Sequence, residues 1–394
     1  MTTADDSRAR RRTLFLALSA LSMAGQAGAF LYIPALPEIA AEFGVGEAEV
    51  QATVVAFILG SLAGFSVYGP LSDRLGRAPM MIVATVLFVG GSVACALAGE
   101  LGALTLARFV QGAGSITGIV TGRAVIRDAW PRSEAGRAMS HFTAVNTIAP
   151  AASPVAGALA LIVADWRSGF WLTGAVALVA MLFAIRALPA RLPQPAASMR
   201  ASLGRIVRST LWRRGLLLNM TTNASFIIMM AGSPFVFMQL LGMNPISYSL
   251  VVAAILCGFA VAAIYSGELH ARVGTRAVMR LALIPLLTGA VALSLVVVFA
   301  PSILALAVTL GLTIGAMGLI VPTVHTTMLA PFPDLSGTAT SIAMLVTSAV
   351  AAAAVWFYAQ TVAGSVAGFG LVISGLAALI AVWALRLPDA EPTA

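Results

Sequence analysis

The chain has 394 residues, 60% of them hydrophobic and 10% charged, with a formal net charge of +8 at pH 7. So little polar surface cannot solvate a globule, which excludes a soluble enzyme or binding domain and predicts an integral membrane protein. The positive charge does not point to nucleic acid, because it is confined to short segments beside apolar stretches, as the positive-inside rule requires.

A helix crossing a hydrocarbon core of about 30 Å needs about 20 apolar residues. Stretches of that kind run over residues 13–37, 50–70, 79–99, 101–123, 137–162 and 168–188, then 214–241, 247–267, 277–299, 302–330, 337–361 and 364–386. The expected fold is an all-α membrane protein with twelve transmembrane helices in two pseudo-symmetric six-helix bundles. A tail over 1–12, a bundle over 13–188, a linker over 189–213, a bundle over 214–387 and a tail over 388–394 divide the chain.

The basic start, Arg8-Ala9-Arg10-Arg11-Arg12, precedes an apolar run in the manner of a signal peptide. That run is too long for a signal core and continues into Pro34 and Pro37 without a clear cleavage site, so an uncleaved first helix is expected. Glu38 shares a helical stripe with Gln26, Phe30 and Pro34; it either serves the outer mouth of a pathway or is an interfacial acid.

Between the second and third stretches lies Gly69-Pro70-Leu71-Ser72-Asp73-Arg74-Leu75-Gly76-Arg77. A second run, Gly267-Glu268-Leu269-His270-Ala271-Arg272-Val273-Gly274-Thr275-Arg276, keeps both glycines, the leucine and the first arginine in register but has Ala271 where the first has Asp73. The repetition predicts two related halves with the same hinge. Gly69 and Gly76 suit tight turns and close helix approach, and Asp73 can pair with Arg77 or accept hydrogen bonds from a helix N-terminus, so the cluster reads as a latch. Taken alone, either run could equally be a solvated basic loop.

Arg108 is the one arginine well inside a span, about eight residues from the outer boundary near Glu100, or roughly 12 Å at helical rise. It either snorkels outward or faces the bundle interior, where backbone carbonyls, an anionic substrate or a protonatable group could pair with it. Gln111 and Gly112 follow on the next turn and make a polar stripe. Asp128, beside Arg123 and Arg127, belongs with the cytoplasmic latch. Pro150, Pro154 and Gly157 in the fifth span and Pro322 in the tenth are expected kinks. In the linker, Met199, Leu203, Ile206 and Val207 recur at helical spacing among arginines and predict a short surface helix, with a disordered basic linker as the alternative.

All 23 basic residues are arginine, and with the N-terminus inside only Arg108 and Arg167 fall away from the cytoplasmic side. Both termini are therefore expected in the cytoplasm. Cys95 and Cys257 lie in separate spans and predict neither a disulfide nor a metal site, and no cofactor is expected.

The chain resembles the major facilitator superfamily of transporters and, within it, the Bcr/CflA-type branch of drug:proton antiporters. Residues 69–77 resemble the cytoplasmic loop signature of the family. Arg108-Phe109-Val110-Gln111-Gly112 resembles its fourth-span arginine motif, and Arg123-Ala124-Val125-Ile126-Arg127-Asp128 the close of that helix. Ala149-Pro150, Pro154 and Gly157 resemble the antiporter motif, with Ser153 and Ala158 where glycines are commoner. Trp166-Arg167 with Phe170-Trp171, residues 32–37 and Gly232-Ser233-Pro234-Phe235-Val236 resemble the branch at outer helix ends. The resemblance implies export of small amphiphilic compounds by alternating access, coupled to protons, by a monomer in a bacterial inner membrane.

One departure bears on mechanism. The resembled branch usually has an acid four positions before the proline matched by Pro34, and this chain has Phe30 there. All 15 acids map to loops or helix ends. The expected cavity therefore prefers neutral or weakly anionic amphiphiles and is lined by Gln26, Phe30, Tyr32, Arg108, Gln111, Asn146, Asn219, Asn223, Phe226 and Met230. Asp73, Arg108, Asp128, Glu38 and His325 are the coupling candidates, although His325 also reads as a structural histidine. A dedicated metabolite exporter or facilitator without proton coupling is the alternative. A membrane enzyme or sensor is disfavoured by the absence of a nucleophile–base set, metal cluster or phosphate loop.

Overall fold

The computed structural model describes residues 4–187, 199–332 and 335–387. Among these every regular element is helical. The residues form two compact units, Met1–Val45 with Ala52–Ala196, and Gly46–Gln51 with Ala197–Ala394.

The first unit holds α1 (Ala4–Phe30), a short 3-10 turn (Ile33–Ala35), α2 (Leu36–Phe43), α3 (Glu47–Leu75, from Ala52 onward), α4 (Arg77–Ala96), α5 (Leu101–Ser115), α6 (Thr117–Ala129), α7 (Arg132–Val163) and α8 (Arg167–Ala187). Helix α1 packs against α6, α7 and α8, and α4 against α5 and α8. Leu14, Leu18, Met81, Ile126, Phe142 and Ala184 are central to the core they enclose. Helices α3 and α5 meet at small residues: a Cβ on Gly60 would lie 2.0 Å from the Phe109 carbonyl oxygen, and one on Gly112 2.1 Å from that of Phe57. Without a hydrophobic driving force between helices in lipid, such backbone approach supplies the dispersion contact that holds them.

The second unit adds to residues 46–51 α9 (Met199–Arg208), α10 (Thr210–Pro234), a π-helical turn (Phe235–Leu240), α11 (Pro245–Phe299), α12 (Ile303–Leu329), α13 (Ser336–Thr361) and α14 (Val366–Leu385). Helix α11 packs against α12 and α14, and α10 against α12, α13 and α14. Four helix starts here are capped: the side chains of Ser209, Asn244, Ser302 and Ser365 each accept a hydrogen bond from the backbone N–H three residues on. Each cap satisfies a donor the helix itself leaves unpaired.

Ten helices among the described residues are long and apolar enough to cross a membrane. The other two expected stretches are also helical. The stretch 101–123 is interrupted at Ile116, where α5 gives way to α6. The stretch 137–162 lies in α7, which opens with Arg132, Glu134 and Arg137 and has a short apolar end, Ala152–Val163. Outward-facing side chains such as Leu106, Val163, Ile264, Phe299 and Leu304 are largely exposed, as lipid-facing positions must be.

The repeated loop is a real backbone feature, with a correction. Of each pair of glycines only the second makes the turn; Gly69 and Gly267 lie inside helices. Gly76 has φ 93° and ψ 159°, and Gly274 has φ 79° and ψ 169° within the 55 residues of α11. This region of φ/ψ space is essentially open to glycine alone. A Cβ on Gly274 would meet nothing within 4 Å, so the penalty for alanine is conformational rather than steric. Gly274→Ala should therefore lower stability by about 1–3 kcal/mol. Gly267→Ala, on ordinary helical backbone, should be neutral or stabilising. Thermal unfolding of the two purified variants checks the pair; equal midpoints would refute the assignment.

Candidate functional site

The most unusual side chain is Arg108, which is 0% exposed. Its Nη1 donates to the Gly28 carbonyl at 2.7 Å and to Gln111 Oε1 at 2.5 Å. Gln111 Nε2 in turn donates to Ser92 Oγ at 2.9 Å, and Ser92 Oγ donates to the Phe88 carbonyl at 2.8 Å. The chain of bonds thus runs from α1 through α5 to α4 and locks the guanidinium plane.

Aromatic rings close around that plane. Arg108 Cζ lies 3.9 Å from the Tyr32 ring centroid, 4.2 Å from Phe57 and 5.7 Å from Phe170. A guanidinium over an aromatic face gains about 0.5–2 kcal/mol, most when desolvated. No carboxylate pairs with Arg108 among the described residues. Its Nε and Nη2 are buried with no hydrogen-bond partner. Each such donor forfeits about 1–3 kcal/mol. A protein that keeps a buried, half-satisfied cation has a group suited to receiving an anionic or carbonyl oxygen.

The aromatic packing continues outward. Tyr32 and Phe170 centroids are 5.8 Å apart, Phe170 and Trp166 6.0 Å, and Trp166 and Phe43 5.9 Å. At the end of this run Glu42 accepts from Trp166 Nε1 and from both terminal nitrogens of Arg167, at 3.1 and 2.6 Å. Arg167 also donates to the Ala98 carbonyl at 3.3 Å. This partly exposed cluster ties α2, the α4–α5 turn and the start of α8 together.

The other residues singled out in the first unit divide by burial. Phe30, Tyr32 and Gln111 are buried and Gln26 is half-buried. Asn146 is half-buried; it accepts a short hydrogen bond from Ser22 Oγ and donates to the Phe142 carbonyl at 2.8 Å, joining α7 to α1. Glu38 is exposed in the first turn of α2. Pro150 and Pro154 lie inside α7, which runs on through both. Gly157 is a point of contact: a Cβ there would sit 1.8 Å from the Leu31 carbonyl oxygen. In the latch, Arg123 is half-buried, while the side chains of Asp73, Arg74, Arg77, Arg127 and Asp128, and the surroundings of Gly69, lie outside the described residues.

In the second unit Asn219 Nδ2 donates to Thr347 Oγ1 at 3.4 Å, Asn223 is half-buried, and the Phe226 and Phe259 rings lie 6.0 Å apart. Met230 is fully buried, Pro322 lies inside α12, and His325 is half-buried. Hydroxyl pairs such as Ser233 with Tyr248 at 2.9 Å and Ser266 with Thr323 at 3.0 Å supply the polar contacts of this core.

One acid escaped the reading of the sequence. Glu47, at the start of α3, groups with the second unit, where it accepts from the Gly364 backbone N–H at 2.7 Å, from Tyr358 OH at 3.3 Å and from Gln51 Nε2 at 2.7 Å. Its spacing to Gln51 was visible as an i,i+4 pair, but its partners from α13 and the turn after it are more than 300 residues away. Among the described residues no group of three or more His, Cys, Asp or Glu could hold a metal.

A family model described as Major Facilitator Superfamily matches residues 16–355. An uncharacterized MFS-type transporter, YdgK, of Bacillus subtilis (strain 168) is 25% identical over 391 residues, spanning 92% of this chain and 96% of that protein. The multidrug resistance protein MdtL of Escherichia coli O81 (strain ED1a) is 30% identical over 243 residues, 59% of this chain and 60% of that protein. A crystal structure of a D-xylose–proton symporter superposes with a TM-score of 0.79 at 15% identity, covering 96% of this chain and 98% of that one. The xylose transporter XylE of E. coli, partially occluded and inward open, superposes with a TM-score of 0.75 at 12% identity over 97% of this chain and 99% of that one. At these identities the two structures establish likeness of fold.

Proposed function

The chain belongs to the Major Facilitator Superfamily and is a multi-pass membrane transporter rather than an enzyme; from that premise we propose that it exports small neutral or weakly anionic amphiphiles by alternating access and proton antiport. The observation that carries the substrate class is Arg108, a buried cation with two unpaired nitrogens, Nε and Nη2, among aromatic rings. An amphiphile with a carbonyl, nitro or carboxylate oxygen and an apolar body matches both features. A permanent cation would meet like charge. The name of the relative MdtL supports drug efflux.

The proposed setting is a bacterial inner membrane, with both termini cytoplasmic and the monomer as the working unit. Gly69, Asp73, Arg74, Gly76, Arg77, Arg123, Arg127 and Asp128 are proposed as the cytoplasmic latch, with the resemblance of residues 69–77 to the superfamily's loop signature as support. Protons are proposed to act through Asp73, Asp128, Arg108, Glu38 or His325. Glu47 joins these candidates because its carboxylate accepts three hydrogen bonds that protonation would weaken.

Phe30, at the position where the resembled branch usually has an acid, favours a second reading, a facilitator for one metabolite without proton coupling. Proteoliposomes containing a pH-sensitive dye decide between them. Antiport predicts a pH change in the lumen on adding a neutral or anionic amphiphile and none with a quaternary ammonium compound. Counterflow of substrate that ignores the proton gradient would establish the facilitator instead.

A further inference from the structure

At one end of the first unit, between the starts of α1 and α7, lies a cavity of about 440 Å³. Arg11 and Arg12 line it from α1, and Arg137 and His141 from α7. Glu134, on the same face of α7, is the one acid lining it. Phe15 and Trp130 complete the wall, their rings edge to face with centroids 6.5 Å apart.

The charges are unbalanced. Neither Arg11, Arg12 nor Arg137 forms a salt bridge with a described residue, whereas Arg167 and Arg272 have their own acids. Arg10, next to them, donates to the Ala187 carbonyl at 3.1 Å. Three guanidinium groups gathered around one cavity repel each other, and an anion that accepts from their forked donors removes the repulsion. Tetrahedral phosphate oxygens suit that geometry. The cavity adjoins the first span, where Leu16 is 58% exposed beside Phe15 and offers an apolar path for an acyl chain. Trp130 beside arginines has the composition of a membrane–water boundary.

We propose that this cavity binds the phosphate of an anionic phospholipid, the headgroup held by Arg11, Arg12 and Arg137 and the acyl chain lying along Leu16. A basic pocket at the end of the first span selects anionic over zwitterionic headgroups because the latter carry their own cation. The inference needs only the membrane setting and holds whatever the exported compound is. Free phosphate shares the chemistry, and the test separates the two sources.

Trp130 reports directly. The full-length protein is reconstituted in phosphatidylcholine vesicles containing brominated phosphatidylglycerol or brominated phosphatidylcholine, and the fluorescence lost on Trp130→Phe defines the local signal. After screening by salt the quenching should show roughly tenfold preference for phosphatidylglycerol. The preference should vanish in the R11Q/R12Q/R137Q variant, weaken in R137Q alone, which leaves the basic start of the chain intact, and rise in E134Q. No preference in the wild type, or an unchanged one in both arginine variants, would overturn the site. Loss of the preference in millimolar inorganic phosphate would assign the cavity to the free anion and overturn the lipid.

Discussion

Arg108→Met is expected to abolish most transport while leaving the protein as stable as the wild type or more so. A buried cation with two unsatisfied donors is a net burden on the fold, and replacing such a charge with an apolar side chain of similar volume is often neutral or stabilising. Stability and function should therefore move apart. Arg108→Lys keeps the charge but cannot reach the Gly28 carbonyl and Gln111 Oε1 with one planar fork between the Tyr32 and Phe57 rings. Losing a charge-assisted hydrogen bond and the stacking is worth about 2–3 kcal/mol, or roughly 30- to 150-fold in the initial rate of substrate-driven flux. Flux in proteoliposomes, normalised to folded protein, reads both variants. A lysine variant within about threefold of wild type would remove Arg108 from the transport mechanism.

Gly157→Ala should damage the fold and the flux together. The new Cβ would lie 1.8 Å from the Leu31 carbonyl oxygen, and that obstacle is backbone, so α7 or the segment after α1 has to move. Overpacking of this kind typically loses about 1–3 kcal/mol, and the absence of a flexible side chain to yield places this site at the upper end. Tyr32 follows Leu31 directly and stacks on Arg108, so the displacement also disturbs the aromatic box. Gly136→Ala on the same helix meets nothing within 4 Å and should be neutral or stabilising. Thermal unfolding and flux measured on both variants test the contrast; a Gly157→Ala protein that unfolds at the wild-type temperature would show that the contact is not tight.

Residues differ in how far the sequence exposed their roles. The second glycine of each repeated loop is legible because a backbone at φ 93° or 79° tolerates little else, and the register of the two runs pairs Gly76 with Gly274. The position of Arg108 inside an apolar stretch marks it as exceptional, but nothing near it in the chain names Tyr32, Phe57 and Phe170 as the rings around it. Gly157 reads as a place where a helix bends, and the structure adds that it is where α7 touches the chain after α1. Glu47 looks like one more outer acid until Tyr358 and Gly364 are seen to donate to it.

Membrane residence and the all-helical class were determined by the sequence alone, because hydropathy accumulates along the chain and a backbone in lipid must satisfy its hydrogen bonds locally. The partners of Arg108, the approach of Gly157 to Leu31, and the unpaired arginines around the α1–α7 cavity were decided only by the tertiary structure. Each is a contact between residues distant in the chain, set by which faces of which helices meet, and no local pattern of residue types encodes that choice.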